Sequence, residues 1–181
     1  MNRVQRKSKE KLVNPTFFVF CEGESEEAYI SFLRSSYRIP INIKAKIAGN
    51  RITKKYIENY KQTQTAHLKD KTFLIYDGDV PEIVDKLKKI KKVNLLVSNP
   101  CFELWYLLHC QNQTAELSSI ECFNKLSNHV PNYSKGYFDK NLETQIIKNK
   151  NNAIKRAKNL IEFTNPSTNV YNFVEELEKN K

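Results

Sequence analysis

Apolar and polar positions along this chain fall into blocks of two kinds. Short apolar runs rich in β-branched and aromatic residues, "TFFVFC" (Thr16 to Cys21), "TFLIY" (Thr72 to Tyr76) and "VNLLV" (Val93 to Val97), are bounded by polar turns. Their length and composition predict buried strands. "INIKAKI" (Ile41 to Ile47) alternates apolar with basic positions and predicts a half-exposed strand. Between the runs the spacing turns helical: Ala28, Tyr29, Phe32 and Leu33; then Ile52, Tyr56, Ile57 and Tyr60; then Val80, Ile83, Val84, Leu87 and Ile90. "CFELWYLLHC" (Cys101 to Cys110) is apolar nearly all round, which predicts a buried helix. Strands alternating with helices point to an α/β fold with a mainly parallel, Rossmann-like sheet flanked by helices.

After Gln111 the pattern changes to helices and loops. Leu142, Ile146, Ile147, Ile154, Ala157, Leu160 and Ile161 predict one amphipathic helix, with Lys148, Lys150, Lys155 and Lys158 on its polar side. A last helix is expected after Asn165-Pro166-Ser167, burying Val170, Phe173, Val174 and Leu177. The expected organisation is a mobile basic arm over residues 1–14 and one domain over 15–181. Within it, a sheet core spans about 15–110 and a C-terminal helical layer about 111–181.

Composition narrows the class. With 181 residues, 40% hydrophobic and 11% aromatic, the chain can bury one core and is not of disordered composition. No apolar run approaches the ~18 residues of a membrane span, and the first residues lack the apolar segment of a secretory signal. Cys21, Cys101, Cys110 and Cys122 form no C-x-x-C pair, and His67, His109 and His129 have no metal-ligand spacing. The expectation is a cytoplasmic protein with reduced thiols and no membrane partner.

Charge adds a partner. There are 30 Lys+Arg against 20 Asp+Glu, a net charge of +10. The bases cluster. Lys44, Lys46, Arg51, Lys54 and Lys55 run without an acid, and Lys140, Lys148, Lys150, Lys155, Arg156 and Lys158 run with one, Glu143. Solvated lysine faces would look the same, but clustering favours a nucleic acid, whose condensed counterions are released on binding. Lys140, Lys148, Lys150, Lys155 and Lys158 are the candidate contacts.

Against this basic background, acids gather at two predicted strand ends. Glu22-Gly23 follows the first strand with Glu26 one helical turn on, and Asp77-Gly78-Asp79 follows "TFLIY". In parallel α/β sheets, functional groups collect beyond the carboxyl ends of the strands. Neighbouring strands lie ~4.8 Å apart, so these carboxylates would converge if the two strands are adjacent. Unpaired they would repel; Mg²⁺ or Mn²⁺, which favour oxygen ligands, would relieve this. Glu22, Glu26, Asp77 and Asp79 are therefore the candidate metal ligands, with Glu22, Asp77 and Asp79 as candidate catalytic groups. Each signal also has a structural explanation: acids in a first turn meet the helix dipole, and Asp-Gly is common in turns. Ser98 and Asn99, at the end of "VNLLV", are candidates to bind metal water or phosphate. Glu103, in its apolar helix, is either salt-bridged or turned toward the same centre.

These residues carry a resemblance. "EGESEE" after the first strand, "DGD" after a later one, "SNPCFELWYLLH" (Ser98 to His109) and the ending "NPSTNVYNFVEEL" (Asn165 to Leu177) together resemble the RloB family of Toprim-domain proteins, associated with abortive infection and restriction loci in bacteria. The resemblance runs from about Val13 to Leu177, and its most specific part is the Asn-Pro-Cys-Phe-Glu-Leu-Trp run. It implies a Toprim-like fold and a Mg²⁺ site at Glu22 and the Asp77/Asp79 pair. Glu26 matches a second glutamate of Toprim nucleases of the OLD type, whose metals serve phosphodiester hydrolysis. It also implies a role in anti-phage defence and a neighbouring ATPase partner. Gly78 departs from the bulkier residue many such proteins carry inside D-x-D, and is expected to loosen that loop. Three functions stay open: a metal-dependent nuclease acting on DNA or RNA, a non-catalytic nucleic-acid-binding or ATPase-partner module, and a nucleotidyl- or phosphoryl-transfer enzyme.

Overall fold

The computed structural model describes residues 14–181; nearly all of the basic arm expected over residues 1–14 lies outside them. Four parallel strands form where the apolar runs predict them: β1 (Thr16–Cys21), β2 (Asn42–Ile47), β3 (Lys71–Asp77) and β4 (Asn94–Asn99). The helices between them are α1 (Glu24–Tyr37), α2 (Lys54–Gln62) and α3 (Pro81–Lys88), with a 3-10 turn at Gly49–Arg51. Then follow α4 (Glu103–Cys110), α5 (Ser119–His129), α6 (Lys140–Lys158) and α7 (Tyr171–Glu178). A two-residue strand, β5 (Ser167–Thr168), pairs antiparallel with β4. The mainly parallel, Rossmann-like α/β architecture expected from the pattern is the one the chain adopts.

The strand order is β2-β1-β3-β4-β5. The chain steps from β1 to β2 on one side and then returns to place β3 on the other. The order therefore reverses between β1 and β3, and in open α/β sheets that is where a crevice opens beyond the carboxyl ends. Cys21 is paired with Ile75 there, and Glu22 N–H continues the ladder to the Ile75 carbonyl at 3.0 Å.

The pleat divides each strand between two cores. Phe17, Val19, Cys21, Phe73 and Ile75 join the core beneath α1 and α4–α7, with Trp105, Tyr106 and Phe173. Phe18, Phe20, Leu74 and Tyr76 point the other way, into a smaller core under α2 and α3. The buried α4 packs against α5 and α6, as its all-round apolar sequence requires.

Several elements depart from the pattern. The amphipathic helix stops at Lys158, so Leu160 and Ile161 lie beyond it, and Ile161 is exposed. β4 runs two residues further than predicted, so Ser98 is inside the strand rather than at a free end. β5 is missing from the pattern because Ser167 and Thr168 are polar, although both are buried.

Candidate metal centre

The crevice between β1 and β3 is built from four carboxyl groups, and the local chain explains each position. Gly23 caps α1 in an extended conformation, and Glu26, at the third helical position, turns back to accept the Gly23 N–H at 3.1 Å. This is the carboxylate half of a capping box. Glu22 Oε2 accepts the Asp77 N–H at 2.8 Å, tying the end of β1 to the end of β3. Asp77 Oδ1 in turn accepts the Phe102 N–H, 2.8 Å away at the start of α4. Glu103, the first residue of α4, is 1% exposed; its Oε1 accepts the hydroxyls of Ser25 and Tyr133, each at 2.9 Å.

Among the described residues, one cation stands over this group. Lys135 Nζ is 4.0 Å from Glu103 Oε2, on a side chain that is 63% exposed. Its loop is held on α1 at Gly136, where φ is +75° and an added Cβ would lie 2.8 Å from Glu24 Cβ. Only glycine fits there.

The electrostatics follow from burial. Asp77 is pushed up to about 8 by loss of water and then by the charges of Glu26, Glu22 and Glu103, with Lys135 opposing. Burial raises Glu26 to about 7, against its own backbone hydrogen bonds, and Glu103 and Glu22 add to the rise. Glu22 is raised too, mainly by burial, with a contribution from Asp79. One lysine faces three acids that resist ionising together.

The expected site residues divide on this geometry. Glu22, Glu26 and Asp77 come together at the switch point, joined by Glu103. Asp79 is on the exposed rim of the same loop, near enough to act on Glu22. Asn99 packs on that loop: a Cβ at Gly78 would lie 2.8 Å from both Asn99 Cβ and Val97 Cγ1. Gly78 therefore does not loosen the loop; it lets the loop pack tightly against β4. Ser98 is fully buried, its hydroxyl 2.8 Å from that of Thr168, which turns it into the sheet rather than toward a ligand. Lys140, Lys148, Lys150, Lys155 and Lys158 all lie on α6. Two are engaged with α7: Lys150 with Glu178 at 2.6 Å, and Lys158 with Glu175. Ser25, Tyr133 and Lys135 escaped the sequence reading. A lysine-glycine pair in a polar loop is ordinary turn chemistry, and nothing in its local pattern points toward a strand end 58 residues earlier.

The donor set suits a hard divalent cation: every candidate ligand is a carboxylate, and the crowding is of the kind a dication relieves. Among the described residues, however, no three His, Cys, Asp or Glu side chains stand in a metal-holding arrangement. Glu22, Glu26 and Asp77 each spend one oxygen on a backbone N–H, leaving the other for a ligand.

A family model described as RloB-like protein matches residues 17–177, nearly the whole chain. No curated protein and no solved structure matches.

Proposed function

We propose, from the premise that this chain belongs to the RloB-like family, that it is a divalent-cation-dependent hydrolase of nucleic-acid phosphodiesters. The observation that carries this reading is the under-neutralised cluster of Glu22, Glu26, Asp77 and Glu103 at the switch point, with Lys135 its one close cation among the described residues. Glu22, Glu26, Asp77 and the rim residue Asp79 would hold Mg²⁺ or Mn²⁺, whose chemistry is to activate water and to stabilise the leaving oxygen. The chain supplies the rest. Backbone N–H groups of Gly23, Asp77 and Phe102 fix the three inner carboxylates, so little reorganises when substrate arrives. Lys135, exposed above the cluster, would meet a phosphate oxygen.

No histidine is positioned as a base. His109 is buried in the core with Nδ1 2.8 Å from the Trp105 carbonyl, and His129 Nε2 lies 2.9 Å from Gln111. His67 sits in the α2–β3 loop, at the opposite end of the sheet. The resemblance to defence-linked proteins supports our further proposal that the hydrolase serves anti-phage defence, beside an ATPase partner.

A second reading has its own support. The carboxylate-to-backbone bonds would also serve as a latch joining β1, β3 and α4 in a binding module without catalysis. Incubating the protein with single- and double-stranded DNA, RNA and tRNA, in Mg²⁺, Mn²⁺ or EDTA, separates the two. The hydrolase reading expects cleavage that EDTA abolishes and that Asp77→Asn and Glu22→Gln both remove, with the fold intact by circular dichroism. Binding without cleavage under every metal condition would favour the latch.

A further inference from the structure

We propose that the groove between α2 and α3 binds a single-stranded nucleic acid and delivers it to the crevice at Glu22 and Asp77. The delivery part rests on the reading of that crevice as the reacting centre; the binding part does not.

The groove consists of two hollows of about 550 and 620 Å³ on the sheet face opposite α4, and Lys54 and Ile90 line both. The first opens at the carboxyl end of β3, over Tyr76, the residue before Asp77. The Tyr76 hydroxyl donates to the Gly49 carbonyl at 2.9 Å, which anchors this end of the groove beside the end of β1. Ile52, Ile83 and Leu87 complete its apolar lining. The second hollow continues toward the amino ends of the strands, past Ile57 and Val93.

The walls are cationic. Lys54, Lys61, Lys86, Lys91 and Lys92 line the groove, against one acid, Glu58. Lys54 pairs with Glu58 at 3.7 Å, and Lys61 bonds the Thr72 hydroxyl at 3.1 Å. Among the described residues, Lys86, Lys91 and Lys92 have no ion pair; all three are exposed. On α6, Lys150 and Lys158 are paired with α7 and Arg156 donates to the Leu108 carbonyl at 2.6 Å, while Lys140, Lys148 and Lys155 are exposed without an ion pair among the described residues but line neither hollow. What sets the α2–α3 face apart is that its unpaired lysines line an apolar groove.

An apolar floor between lysine walls matches a polyanion that also offers flat apolar faces. Single strands do so: phosphates meet the cations and unstacked bases meet the floor. A duplex keeps its base faces inside and would leave the floor uncovered. An acidic peptide would meet the walls but supplies no matching faces.

The test uses the full chain in EDTA and fluorescence anisotropy. The probes are a labelled single strand of about 12 nucleotides, within the span such grooves cover, as DNA and as RNA; the corresponding duplex; and polyglutamate. The single strand should bind more tightly than the duplex. A Lys54→Glu, Lys86→Glu, Lys92→Glu triple variant should weaken that binding at least about tenfold and lower the salt slope by about 2, from about 0.7 per lost phosphate contact. A Lys140→Glu, Lys148→Glu, Lys155→Glu variant on α6 should leave both unchanged. Ile83→Gln, on the floor, should weaken binding without changing the salt slope. The proposal is overturned if the groove triple binds normally, if the α6 triple causes the loss, or if duplex or polyglutamate binds as well as the single strand. With no metal present, none of these outcomes depends on whether the carboxylates are ligands. Conversely, a missing metal response in the wild type would sink the hydrolase reading and leave this result standing.

Discussion

Glu103 shows how one buried residue can be mistaken for two different things. It stands in an apolar helix, and a buried carboxylate without partners is costly. The structure gives it partners of both kinds: the hydroxyls of Ser25 and Tyr133 on one oxygen, and Lys135 4.0 Å from the other. The salt bridge and the orientation toward the crevice, posed as alternatives by the sequence, are both present. What matters energetically is the pair of hydroxyls. Glu103→Gln keeps an acceptor for them, whereas after Glu103→Leu the two hydroxyls, 3.4 Å apart, can satisfy only one donor between them and leave one buried O–H unpaired, worth about 1–3 kcal/mol. Urea denaturation should therefore find Glu103→Leu less stable than Glu103→Gln by about 1 kcal/mol or more. Equal losses in the two variants would mean that Ser25 and Tyr133 find other partners and that Glu103 is not their anchor.

At the scale of elements, the strands and the switch-point acids were legible because period and composition act locally. A six-residue apolar run bounded by Asn-Pro and Glu-Gly needs no tertiary information to read as a strand. β5 was not legible, because two polar residues carry no period; they are buried by pairing with β4, which only the fold decides. The α6 lysines were legible as a charged face, but the two ion pairs that Lys150 and Lys158 make to α7 were not. Glu178 on α7 accepts from Lys150 and from the Tyr37 hydroxyl, both at 2.6 Å, and these bonds draw its carboxyl down to about 2. A carboxyl with a lowered folded value contributes stability above its unfolded value, and that contribution is lost as pH falls through the folded one. Because the pair is partly exposed, the contribution is small, within about 1 kcal/mol. Glu178→Gln should thus be slightly less stable than wild type at pH 7, with the difference closing between about pH 4.5 and 2. Lys150→Ala should show a similar small loss in thermal melts at pH 7, and unchanged affinity for nucleic acid. A large drop in affinity from Lys150→Ala alone would put the nucleic acid on α6 rather than in the α2–α3 groove.

For the whole molecule, the buried titrating groups compete over pH. Burial pushes His109 down to about 4, so its neutral form stabilises the fold above the unfolded value of about 6.5, and that stability is lost as pH falls toward 4. The crevice acts with the opposite sign. Asp77, raised to about 8, and Glu26, raised to about 7, keep protons in the fold that the unfolded chain has already released. Their contribution is fully present below the unfolded carboxyl values and is lost as pH rises through the folded ones. Between pH 7 and 8, His109 is neutral in both states, so the crevice sets the slope. Metal-free protein should lose stability across that interval, by up to about 1.4 kcal/mol per proton retained for each pH unit. Asp77→Asn removes the larger share: the amide oxygen can still accept the Phe102 N–H, while the crowded charge is gone. In EDTA this variant should show a flatter profile and a higher midpoint at pH 8 than wild type. Mg²⁺ should reverse the order. A cation that binds only the folded state stabilises it by mass action, and it binds the ionised carboxylates better as pH rises. Wild type should then hold or gain stability from pH 7 to 8, and Asp77→Asn should gain little. The measurement is a set of urea midpoints at pH 7, 7.5 and 8 for both proteins, in EDTA and in Mg²⁺. A wild-type profile in EDTA that rises with pH, or a Mg²⁺ gain equal in both proteins, would show that the crevice acids are a neutralised structural latch and that the metal, if it binds, binds elsewhere.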